Sequence, residues 1–127
     1  MKNNPLVLSD DFTHILDALE KSDSNLFVTG KAGTGKSTLL QLFRSTSRKK
    51  LAVLAPTGIA ALNVQGQTIH SFFGFPPRVI TPSEASRRVS RKDLLRMYKN
   101  LEVLVIDEIS MVRADILDGI DSFLRVN

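Results

Sequence analysis

The sequence contains no cysteine, which excludes disulfides and thiolate metal sites together. It also lacks any apolar run near the roughly 18 residues that a membrane-spanning helix needs. The opening residues, MKNNPLVLSD, hold no hydrophobic stretch of signal-peptide length and no arginine-rich amphipathic pattern, so no targeting segment is expected. Internal repeats and low-complexity tracts are absent. A reducing interior, the cytoplasm, is the expected setting, close to the nucleoid if the source is bacterial.

What remains is the balance of a globular domain. The 127 residues are 43% hydrophobic and 24% charged, enough for one core and too apolar for a disordered chain. Lys and Arg number 17 against 13 acids, a net charge of +4. The excess is concentrated. One cluster comprises Arg78, Arg87, Arg88, Arg91, Lys92, Arg96 and Lys99, opposed only by Glu84 and Asp93; a second comprises Arg44, Arg48, Lys49 and Lys50. Such runs are solvated faces or contacts to a phosphate backbone, and composition does not choose between them.

Periodicity predicts the order of elements. Ser9 reads as an N-cap, and Asp10 and Asp11 follow where the helix dipole favours negative charge. Phe12, Ile15, Leu16 and Leu19 then recur at helical spacing as far as Glu20. Leu26-Phe27-Val28-Thr29 reads as a buried strand, and Thr38 to Phe43 as a helix. Ser45 to Lys50 is a basic turn, and Leu51 to Ala55 a second buried strand stopped by Pro56. Short helical pieces separated by Gly58, Gly66 and Gly74 run from Thr57 to Phe75. Thr81-Pro82-Ser83-Glu84 has the cap, the N1 proline and the N3 glutamate of a helix start. A further helix passes through Leu94, Leu95 and Tyr98, a third strand spans Leu101 to Ile106, and Ile116 to Leu124 mark one face of a last helix. This alternation predicts an α/β fold with a parallel sheet covered by helices.

Gly30-Lys31-Ala32-Gly33-Thr34-Gly35-Lys36-Ser37 matches the P-loop pattern G-x-x-x-x-G-K-[ST] without a mismatch, and Thr38 continues into the helix. Its glycines let the backbone curl so that N–H groups point at phosphate oxygens, and the helix presents its positive end to the same anion. Lys36 is expected at the β- and γ-phosphates of ATP, and the Ser37 hydroxyl on Mg²⁺. The third strand ends in Asp107 and Glu108. Asp107 suits the magnesium shell, and Glu108 occupies the place of the base that polarises water in hydrolytic P-loop proteins. A second acid favours an ATP-hydrolysing motor over a small-molecule kinase. The catalytic expectation is therefore Lys36 with Glu108.

Between these motifs stand Ala55-Pro56-Thr57-Gly58-Ile59-Ala60-Ala61-Leu62-Asn63 and Thr68-Ile69-His70-Ser71-Phe72-Phe73. Together with V-T-G-K-A-G-T-G-K-S-T and L-V-I-D-E-I-S-M-V, they closely resemble the Pif-type DNA helicases of helicase superfamily 1, which are related to RecD. The resemblance runs from about Leu26 to Arg125. It implies an ATP-driven motor moving 5′ to 3′ on single-stranded DNA and unwinding duplexes at junctions, in repair, recombination or telomere and genome maintenance. It also implies a RecA-like fold and assigns DNA contacts to Pro56, Thr57 and Gly58, and to His70, Ser71 and Phe72. By the same resemblance, Ser110 and Met111 help relay nucleotide state to the DNA groove. Residue by residue, Phe72, Phe73 and Phe75 fit a core equally well, and His70 fits a structural role.

Two departures from the family stand out. The glutamine that usually reads adenine ahead of the P-loop is absent, with Ser9-Asp10-Asp11-Phe12 in its place. The chain also stops at Asn127, ahead of the Gly-Asp…Gln strand and the second RecA-like domain with its arginine finger. The expectation is therefore the N-terminal part of a first RecA-like domain: a fragment or truncated product, marginally stable alone and a poor ATPase. Two other readings stay open, a non-translocating P-loop ATPase and a module that binds nucleotide without catalysis.

Overall fold

The computed structural model describes residues 10–29 and 35–127. The proposed cap Ser9 and the P-loop residues Gly30, Lys31, Ala32, Gly33 and Thr34 lie outside the described residues. The chain divides into two compact units, Met1–Lys49 and Lys50–Asn127.

In the first unit, helix α1 (Asp10–Lys21) packs with helix α2 (Lys36–Thr46). Leu39 and Phe43, one turn apart on α2, are its buried residues. The far ends of the two helices are latched around Glu20. Its carboxylate accepts hydrogen bonds from the Ser47 hydroxyl and the Arg48 N–H, while the Lys49 ammonium donates to the carbonyls of Leu19 and Ser22. The Ser47 hydroxyl, and then the Arg48 N–H, hold the Glu20 pKa below its usual 4.5.

The strand expected over Leu26–Thr29 is not formed. Leu26, Phe27 and Val28 are exposed, and no described strand pairs with them. An apolar run becomes a strand only where a neighbour offers a hydrogen-bonding ladder, and periodicity cannot report that neighbour.

The second unit holds a three-stranded parallel sheet in the order β2-β1-β3, from β1 (Leu51–Ala55), β2 (Gln67–Thr68) and β3 (Val103–Ile106). β1 is central and its last three residues are buried. β3, paired only with β1 among the described residues, is half-buried throughout. Two-residue β2 has no signature in the sequence because Gln67-Thr68 carries no apolar pattern. It is set by the chain reversal at Gly66, where a Cβ would run into the Val53 carbonyl. Gly58, expected as a break, is instead the first residue of helix α3 (Gly58–Asn63), capped by the Thr57 hydroxyl.

The remaining helices are α4 (Ile69–Phe73), α5 (Pro82–Ala85), α6 (Lys92–Asn100) and α7 (Ala114–Val126), with a 3₁₀ turn at Ile109–Met111. The capping box at α5 is present as expected, Thr81 and Glu84 each accepting the other's backbone N–H. The core is aromatic. Phe73 packs against Phe75, Tyr98 and Phe123 with ring centroids 5.1–6.0 Å apart, and Leu54, Ile69, Ile116 and Ile120 close around them. No helix among the described residues is long and apolar enough to cross a membrane.

Candidate functional site

Gly35 opens α2 with φ 90° and ψ 20°, a left-handed conformation that disfavours any side chain. A Cβ there would also lie 2.7 Å from the Phe12 ring of α1. The position therefore favours glycine on two separate grounds. Lys36 and Ser37 follow in the first turn and are exposed, and Thr38 is half-buried. Among the described residues no side chain caps this end of α2, and no acid stands in its first turn. The positive end of a helix suits an anion.

In the second unit the carboxyl ends of all three parallel strands carry a sequence motif. Such ends are where open α/β sheets bind ligands. β1 runs into Pro56, Thr57 and Gly58, β2 into Ile69 and His70, and β3 into Asp107 and Glu108. The register sets Ala55 beside Thr68 and Leu54 beside Ile106, so the motifs emerge level with one another. The Asp107 N–H extends the ladder by donating to the Leu54 carbonyl at 2.8 Å. Glu108, exposed, has φ 54° and ψ 45°. A glutamate in the left-handed region costs roughly 1–2 kcal/mol, and here that conformation turns the chain sharply at the sheet's end.

Thr57 and Gly58 are exposed, and a Cβ on Gly58 would meet nothing within 4 Å. Packing therefore does not require glycine there. His70 is half-buried on α4 and Ser71 is exposed. Phe72 is half-buried, its ring edge-on to both Phe73 and Tyr98, and its carbonyl accepts the Tyr98 hydroxyl. Phe73 and Phe75 are buried in the core. Of the three phenylalanines, the aromatic cluster thus claims two outright and holds the third by its edges.

A pocket of about 280 Å³ joins stretches that sequence spacing keeps apart: Pro56, His70, Met111 and Arg113 share its wall with Ile69 and Ile116. Met111 carries a signal in the sequence, the resemblance that links Ser110 and Met111 to the DNA groove; Arg113 carries none. Among the described residues no three of His, Cys, Asp and Glu cluster as a metal cage.

A parallel sheet with its loops gathered at the strands' carboxyl ends, together with a glycine-opened helix, places the protein in the α/β nucleotide-binding class. The PIF1-like helicase family model matches residues 7–126, and the chain belongs to that family. It is 36% identical over 129 residues to the ATP-dependent DNA helicase RRM3 of Saccharomyces cerevisiae, covering 97% of this chain and 18% of that protein. The ATP-dependent DNA helicase PIF1 of the same organism is 40% identical over 127 residues, covering 95% and 15%. The crystal structure of Pif1 helicase from Bacteroides in complex with ADP-AlF3 and ssDNA superposes with a TM-score of 0.84 at 44% identity, covering 94% of this chain and 28% of that one. The chain therefore spans under a third of the length of each of these relatives.

Proposed function

We propose that residues 1–127 form the N-terminal part of the first RecA-like domain of a helicase motor that couples ATP hydrolysis to 5′–3′ movement on single-stranded DNA. In this reading the work is genome maintenance, in the cytoplasm at the nucleoid if the source is bacterial. The observation that carries the proposal is the emergence of three family motifs, level with one another, at the carboxyl ends of β1, β2 and β3. The relatives named as ATP-dependent DNA helicases, and the neighbour solved with ADP-AlF3 and ssDNA, support the same substrates for this chain.

In this reading Gly30–Thr38 bind ATP, with Lys36 donating to the terminal phosphates. Ser37 from the first unit and Asp107 from the second would each offer an oxygen to Mg²⁺, which would supply charge neutralisation for phosphoryl transfer. Glu108 accepts a proton from the attacking water. Pro56, Thr57 and Gly58 offer backbone and small polar groups to DNA phosphates, and His70 and Ser71 do so from α4. Phe72 underpins that helix through its packed ring. A second RecA-like domain supplies the opposite wall of the ATP site.

The test is ATP turnover by the intact motor with and without single-stranded DNA. Lys36→Ala should lower turnover by about 10²-fold or more, the scale for removing a transition-state donor. Glu108→Gln should stop hydrolysis while nucleotide binding, read by a fluorescent ATP analogue, persists. Wild-type turnover in either variant overturns its assigned role. Turnover indifferent to DNA favours a non-translocating ATPase instead.

A further inference from the structure

The basic cluster between Arg78 and Lys99 is not one surface. Arg78 pairs with Glu84 at 2.8 Å and Arg91 with Asp93 at 2.7 Å, while Arg87 donates to the Phe73 carbonyl. Lys92, Arg96 and Lys99 are exposed and have no ion-pair partner among the described residues. Their i, i+4, i+7 spacing on α6 puts all three within about 60° of arc, in a row roughly 10 Å long. Tyr98 and Leu94 face the other way, into or against the core.

Arg91 at the N-cap is neutralised by Asp93 in the first turn and Lys99 suits the last turn, so only Lys92 stands against the helix dipole. Three exposed cations aligned on one helix face and left without ion pairs, while Arg78 and Arg91 are paired, point to an anionic partner from outside. We infer that Lys92, Arg96 and Lys99 form a binding surface for the phosphate backbone of duplex DNA, separate from the strand-end motifs and the ATP site. The inference rests on the DNA-motor reading.

Duplex is the occupant that fits. Sites for single strands combine cations with aromatic platforms on which bases stack. This unit's Phe73, Phe75, Tyr98 and Phe123 are all buried, and Phe72 is held edge-on to two of them. The α6 row offers charge alone, on a rigid element. One strand of a duplex rises about 3.4 Å per phosphate, so a 10 Å row spans about three such steps. Interactions of this kind position a duplex without reading its sequence.

The test is binding of the chain to a short labelled duplex and to a single strand of equal length, by anisotropy across a salt series. For Lys92→Gln/Arg96→Gln/Lys99→Gln, the slope of log K against log salt on duplex should become shallower by about 2.7, at about 0.9 for each phosphate no longer neutralised. Binding to the single strand should change less. Should the triple variant fold poorly by circular dichroism, Arg96→Gln alone should remove about 0.9 of slope. A control that removes the same charge elsewhere, Lys21→Gln/Arg48→Gln/Arg125→Gln, should leave the duplex slope nearly unchanged. An unaltered duplex slope in the triple variant overturns the inference, as does an equal decrease in the control. A matching decrease on the single strand overturns the choice of duplex. If the row proves inert while ATP turnover by the intact motor responds to single-stranded DNA, only this inference falls; if turnover is indifferent to DNA, the motor reading falls with it.

Discussion

The two units of this chain are stabilised in different ways. Lys50–Asn127 has a core of interlocked rings, with Phe73 and Phe123 at 0% exposure. Among the described residues of Met1–Lys49, only Leu39 and Phe43 are buried, and the ends of α1 and α2 are joined by hydrogen bonds around one half-buried glutamate. Burial of apolar area dominates the stability of a domain, and polar latches add modestly. A substitution in the first unit should therefore cost function before fold, and one in the ring core of the second, fold before function.

The largest effect tests the second half of that contrast. Phe73→Ala should destabilise Lys50–Asn127 by about 3–5 kcal/mol, the range for truncating a buried phenylalanine, read by urea denaturation. A change near 1 kcal/mol would show that the ring cluster is not the main support. Gly35→Ala should cost less, about 1–2 kcal/mol for the left-handed backbone. Because the added carbon meets the Phe12 ring, nucleotide affinity should fall at least about tenfold, or 1.4 kcal/mol. Unchanged affinity would remove the P-loop from its place in the contrast.

The difference in support explains what is legible in the sequence. Both phosphate-linked motifs and the capping box at Thr81 are legible because each is a local pattern with one mechanism. β1, α1 and α7 are legible because their apolar periodicity is strong. The strand over Leu26–Thr29 fails because pairing is a property of the neighbour. β2 is invisible because a close approach at Gly66, rather than composition, creates it. Nor can spacing reveal that Met111 and Arg113 share a pocket with Pro56 and His70, or that Arg78 and Arg91 are paired while Lys92 and Arg96 are not.

A smaller effect sharpens the comparison at the strand ends. Glu108→Gly should stabilise the second unit by about 0.5–1 kcal/mol, because relief of the left-handed strain outweighs the entropy cost of glycine, while ATP turnover by the intact motor disappears. A destabilised variant would show that Glu108 makes interactions beyond its backbone turn. The smallest effect lies in the Glu20 latch. Hydrogen bonds from Ser47 and Arg48 depress this carboxyl's pKa, so its contribution is present above about pH 4.5 and lost as pH falls through the lower folded value. Glu20→Gln should abolish that acid dependence in hydrogen exchange at residues 47–49. An identical acid response in the variant would assign the sensitivity to another group.

The chain has no tryptophan and a single tyrosine. That tyrosine, Tyr98, sits among Phe72, Phe73 and Phe123 with its hydroxyl on the Phe72 carbonyl. Excitation at tyrosine wavelengths therefore interrogates one spot in the molecule. Its emission reports the packing state of Lys50–Asn127 without any attached dye. It also reports α4, which carries His70 and Ser71, so a change in lifetime on adding DNA would register a rearrangement of that helix.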